Sequence, residues 1–170
     1  MKAILKAKHW QIFVILMLLS FLSNISIGDS SILEVFFASL FLIAIISFPI
    51  IIGNELYEYV PEKMKLNYNL FLVNGALVLL IVGIALAFGD GQHYEFSGLA
   101  ALPIYYVMFA YLHIYAFPVK ELKSIELGRE VKLGEYAGDV VLMLIWPVGI
   151  WFIQPRINKV INERETFVKK

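Results

Sequence analysis

Four stretches of this chain, residues 10–27, 32–53, 70–88 and 98–118, each run for eighteen residues or more without a lysine or arginine, and Glu34 is the single acid among them. At about 1.5 Å per residue, eighteen helical residues reach roughly 27 Å, close to the hydrocarbon thickness of a bilayer. Runs of that length predict membrane-crossing helices. Composition agrees: 60% of the 170 residues are hydrophobic and 16% charged, well away from the balance of a soluble domain. The expected fold class is an all-α integral membrane protein, a single membrane domain of four transmembrane helices. A C-terminal helix broken by proline and glycine follows, re-entrant or interfacial over residues 140–153, and then a tail over 154–170.

The connections set the topology. Gly28, Asp29, Ser30 and Ser31 leave room only for a tight turn, so the first two helices are expected as an antiparallel hairpin. A polar stretch over residues 54–69 precedes the third run, and its Tyr57, Tyr59 and Tyr68 suit a headgroup region. A basic start carrying Lys2, Lys6, Lys8 and His9, followed by an apolar core, also fits a cleavable signal peptide. The segment after that core has no clear small-residue pair at cleavage spacing, which favours an anchor.

Orientation follows from lysine and arginine. The loops at residues 28–31 and 89–97 contain neither, so every basic residue through Lys132 lies on one side, which the positive-inside rule makes the cytoplasm. Both termini are then expected in the cytoplasm of a bacterial inner-membrane protein. Asp29, Glu34, Asp90 and Glu95 face outward, while the inner face carries fourteen basic residues against ten acidic ones. Such a face favours anionic lipid headgroups.

The fifth apolar stretch, VVLMLIWPVGIWFI, is short for a span and is interrupted by Pro147 and Gly149. If it crossed, Arg156, Lys159, Arg164, Lys169 and Lys170 would lie outside. A segment that dips and returns, or lies in the interface, keeps all fourteen basic residues inside.

Individual residues carry weaker signals. His113 shares a face of the fourth helix with Tyr106, Phe109 and Phe117, where a neutral imidazole bonded to a neighbouring helix serves as well as a proton relay. Asn74, Ser20 and Asn24 are expected to bond across helices. Asp139, directly before the fifth stretch, is expected to cap its N-terminus. Residues 119–138 read as a short surface helix stopped at Gly128, with the interleaved acids and bases of 121–132 forming a solvated ion-pair face. Gly83 and Ala87 form a small-xxx-small pair, and the tyrosines of the fourth helix offer a lipid or ligand groove, with packing the simpler reading of both.

The start LKAKHWQIF and the segment FPVKELKSIELGREVKLGEYAGDVVLMLIWPVGIWFIQPRIN resemble a family of small bacterial multi-pass membrane proteins with no assigned activity. The resemblance therefore transfers no catalytic residue. It does direct attention to Trp146, Pro147, Gly149, Trp151 and Arg156, which join His113 and Asp139 as candidate binding residues.

Several function classes find no support. Formal net charge is zero with no basic block, leaving nucleic acid without an electrostatic footprint, and the absence of cysteine removes thiol chemistry. Hydrolase, phosphate-loop and metalloprotease motifs are absent, and histidines 9, 93 and 113 fall at different depths, so no cofactor or metal is expected. The expected function is a non-enzymatic scaffold or accessory subunit, engaging lipid, a membrane-protein partner or a second copy at its cytoplasmic face. A small oligomeric channel or transporter is the alternative.

Overall fold

A computed structural model describes residues 3–24, 31–88 and 98–168. The described residues are helical, with no strand among them. In order they form α1 (Ala3–Lys6), α2 (His9–Leu22), α3 (Ser31–Leu56), α4 (Tyr68–Phe88), α5 (Leu102–Leu127), α6 (Leu133–Leu144) and α7 (Trp146–Val168). Among the described residues, three segments are long and apolar enough to cross a membrane: Ile32–Tyr59, Tyr68–Phe88 and Leu102–Leu127. The α2 helix is apolar but shorter, at 14 residues. The tight turn after it and the loop at 89–97, with His93, lie outside the described residues.

The helix α5 is the hub, packing against α3, α4, α6 and α7. It departs from expectation in running on past residue 118 to Leu127, through Pro118, rather than giving way to a separate surface helix. The reason lies in the pattern beyond the proline. Leu122 and Ile125 continue the buried stripe of Ile114 and Phe117, so packing outweighs the hydrogen bond that Pro118 cannot make. Gly128 then stops the helix as expected, at φ 66°, a left-handed conformation that glycine adopts without a Cβ penalty.

Lipid-like exposure and a tight interior divide the same helices. Ile32 is 79% exposed and Leu80 60%, whereas Phe71, Ile114 and Leu122 are fully buried. Phe71 stacks on Phe117 with centroids 4.4 Å apart and a 14° tilt, and its ring edge lies over Gly53. A Cβ on Gly53 would stand 2.6 Å from that ring. Gly53→Ala is therefore expected to destabilise the fold by about 1–3 kcal/mol, measured by denaturant unfolding of the purified protein in detergent. An unchanged midpoint would mean that the α3–α4 contact is looser than described.

The segments bearing basic residues gather at one end. Leu5 of α1, Leu56 and Leu66 around the α3–α4 connection, Leu122 of α5 and Ile157 of α7 share one buried cluster. Tyr57 and Tyr68 stack at 4.0 Å, and the Tyr68 hydroxyl donates to Asn54 Oδ1, so the polar connection is folded onto the bundle.

Candidate functional site

The strongest local feature is a helical hairpin closed by an N-terminal clasp. Where the fifth apolar stretch was expected to break, α6 ends at Leu144, Ile145 makes the turn and α7 starts at Trp146. Pro147 is then the second residue of α7, where its missing N–H leaves no intrahelical bond unmade. The N–H groups of Val148 and Gly149 turn back to the Ile145 carbonyl at 3.0 and 2.9 Å. Two contacts show that the helices run antiparallel: Gly149 packs so close to Leu142 that a Cβ would lie 2.3 Å from its carbonyl oxygen, and Arg156 meets Asp139 at 2.8 Å. Ile145, Val148, Trp151 and Phe152 remain exposed, so the hairpin presents an apolar tip and flank.

The N-terminus is tied to this hairpin. The Gln154 Nε2 group points at the carbonyls of Ile4, Leu5 and Ala7 at 3.0, 3.4 and 3.1 Å, and Asn158 Nδ2 donates to Ala7 at 3.1 Å. These carbonyls belong to a four-residue helix and the bend after it, where the Ala7 N–H reaches the Ile4 carbonyl at 3.3 Å and the helix is too short to supply the rest. Next along, His9 lies over Trp151 with centroids at 4.6 Å, and Phe13 packs against Trp151 and Trp146 at 5.6 and 6.5 Å. The start of the chain and residues 146–158 thus lie side by side. Gln154 escapes sequence reading because a glutamine after an apolar run normally marks return to water, whereas here it is 1% exposed.

An ionic layer fixes the base of the hairpin. Arg156 makes a two-pronged contact with Glu126 at 2.8 and 2.6 Å besides reaching Asp139, and Lys123 approaches the same Asp139 at 3.7 Å. The Glu126 contact, with Asp139 adding, holds the Arg156 guanidinium above its ordinary pKa. Asp139 does not cap a helix as expected: α6 begins at Leu133, and the free N–H before it, on Lys132, donates to Glu135 at 2.8 Å. Leu133 starts the helix early because Glu135 can serve both that N–H and Arg129.

These bonds hold the Glu135 carboxyl down to about 2, the Arg129 contact contributing most. Because its pKa is depressed, the contact is fully present above the ordinary value of 4.5 and is lost as pH falls through about 2. A carbon-resolved titration of Glu135 is expected to show that low midpoint, with salt raising it. A midpoint near 4.5 at low salt would contradict the contact.

Deeper in the bundle, Asn74 bonds across helices as expected. Its Oδ1 accepts from the Tyr106 hydroxyl at 2.9 Å, and its amide lies 3.1 Å from His113 Nδ1. With the amide as donor, the His113 proton sits on Nε2. Phe109 stacks on that imidazole at 5.7 Å. Ser20 and Asn24, by contrast, bond locally, since the Asn24 amide and the Ser23 hydroxyl both donate to the Ser20 carbonyl at the end of α2. An apolar cavity of about 440 Å³ opens between α3, α4 and α5, with Tyr111 its single polar side chain. Gly83 has open space beside it.

The connector departs from expectation at Glu121 and Ser124. Lys120–Glu130, Lys123–Asp139 and Arg129–Glu135 do form exposed or half-buried ion pairs, but Glu121 and Ser124 are fully buried. Their positions, three residues apart, fall on the inner stripe with Leu122 and Ile125 rather than on the charged face. His113 is brought to Asn74 of α4, and Asp139, Trp146, Pro147, Gly149, Trp151 and Arg156 to the hairpin. The two groups do not meet in one site. No known family, curated protein or solved structure matches the chain.

Proposed function

We propose that this chain is a non-enzymatic component of a bacterial inner membrane, a scaffold or accessory subunit whose cytoplasmic end engages lipid or a protein partner. In this reading the apolar run that contains α2 forms a fourth span beside α3, α4 and α5. Both termini are cytoplasmic, and the α6–α7 hairpin dips into the inner leaflet. The observation that carries the reading is the hairpin itself. Twelve residues of α6 rise only about 18 Å, too little to cross, and α7 returns to the end where the lysine-bearing segments gather. The outward tip, Ile145, Val148 and Phe152, is apolar enough to sit among acyl chains or against a partner helix.

The test is crosslinking in cells from a photoreactive residue at position 152. A discrete protein adduct, or lipid adducts alone, is expected from the tip. Loss of crosslinking to both would place Phe152 in water and overturn the reading. A small oligomeric channel or transporter is the second reading, favoured by the Tyr106–Asn74–His113 contact at membrane depth. Vesicles holding the purified chain are expected to pass no more ions than empty ones. A flux lost on His113→Leu would turn the assignment to transport.

A further inference from the structure

The stretch of α5 beyond Pro118 turns one acid inward. Glu121 and Ser124 lie on the same buried stripe, both 0% exposed. Neither Glu121 carboxylate oxygen has a hydrogen-bond partner among the described residues, and neither does the Ser124 hydroxyl. Three oxygen donors are therefore collected on one face, one helical turn apart, with their bonding capacity unspent.

Among the described residues no cationic side chain hydrogen-bonds to them. Lys120 is bound to Glu130 at 2.7 Å, Lys123 faces Asp139, and Arg156 is held by Glu126 and Asp139. The Tyr68 hydroxyl is near enough to interact electrostatically with Glu121, and it is not a cation. A carboxylate removed from water and left without a partner is strongly destabilising, and a bound cation relieves that. Its chemistry is constrained as well. No group of three His, Cys, Asp or Glu side chains able to hold a metal ion occurs among the described residues, and a single carboxylate beside a hydroxyl carries one negative charge. One negative charge and hard oxygen ligands match an alkali ion.

We propose that Glu121 and Ser124 form a binding site for a monovalent metal cation, sodium or potassium, at the basic end of the bundle. The Glu121 carboxylate balances the charge and the Ser124 hydroxyl supplies a further oxygen. The site stands independently of the scaffold reading, since an ion bound there can either brace the bundle or take part in transport.

The experiment is thermal unfolding of the full chain in detergent, followed by tryptophan fluorescence, in sodium, potassium and choline chloride at equal ionic strength and pH. Sodium or potassium is expected to raise the melting temperature saturably, by about 5 °C at a roughly hundredfold excess over the dissociation constant, and choline is not. The isosteric Glu121→Gln is expected to abolish the response, and Ser124→Ala to weaken apparent affinity about tenfold. Identical melting in all three salts overturns the site. So does salt-blind melting whose stability falls as pH rises, because that marks a carboxyl simply kept protonated. Should Glu121→Gln fail to fold, tracer binding of sodium and rubidium to the unaltered chain decides: saturable one-to-one binding supports the site, and none overturns it.

Discussion

Gly149→Ala is expected to destabilise the folded protein by about 3 kcal/mol or more, the largest effect of any single methyl group added to this chain. The new Cβ would stand 2.3 Å from the Leu142 carbonyl oxygen, 2.9 Å from its carbon and 3.0 Å from the Met143 Cα. All three are backbone atoms, so no rotamer change relieves the clash. Either α7 slides off α6 or the turn at Ile145 opens. Gly138→Ala, in the interior of α6 with nothing within 4 Å of its added methyl, is the matched control. It is expected to be neutral or to stabilise by about 0.5–1 kcal/mol through helix propensity. Denaturant unfolding in detergent reads both variants. Equal behaviour of the two would mean that the hairpin is not closed at Gly149.

Gln154→Leu is expected to cost about 2–4 kcal/mol and to free the N-terminus. The substitution keeps most of the volume but removes the Gln154 donor from the carbonyls of Ile4, Leu5 and Ala7, of which the Leu5 carbonyl is the buried one. Asn158 would still reach Ala7, so the clasp weakens before it is lost. Hydrogen exchange is expected to show residues 3–13 deprotected in the variant while α4 and α5 stay protected. Protection of residues 3–13 equal to that of the unaltered chain would show that α1 is held by other contacts, and the clasp would have to be abandoned.

Much of the helix order is legible in the sequence, because apolar length is a property of each run alone. The runs at 32–53, 70–88 and 98–118 appear as α3, α4 and α5 with most ends displaced by a few residues, the exception being α5, which runs on to Leu127. Gly128 is equally readable, since only a residue without a Cβ takes its left-handed conformation at no cost. Pro147 and Gly149 announce a break, yet their separate duties are visible only in three dimensions. Pro147 opens α7, whereas Gly149 lets two backbones touch. Partners distant in sequence are the class that stays hidden. Nothing local ties Gln154 to Ile4, Arg156 to Glu126, or Asn74 to His113. Glu121 shows a related limit, because a charge pattern over 121–132 suggests a wet face, and helix phase beyond Pro118 decides which residues turn in.

The hairpin organises the whole reading, because it fixes where α7 and the tail lie. Reporters active only in the cytoplasm or only in the periplasm, fused after Lys132 and after Lys170 in cells, test it most directly. The account predicts a cytoplasmic signal at both positions, with α6 and α7 entering and leaving by the same face. A periplasmic signal after Lys170 would make residues 140–153 part of a fifth span, place the basic tail outside, and contradict the re-entrant hairpin.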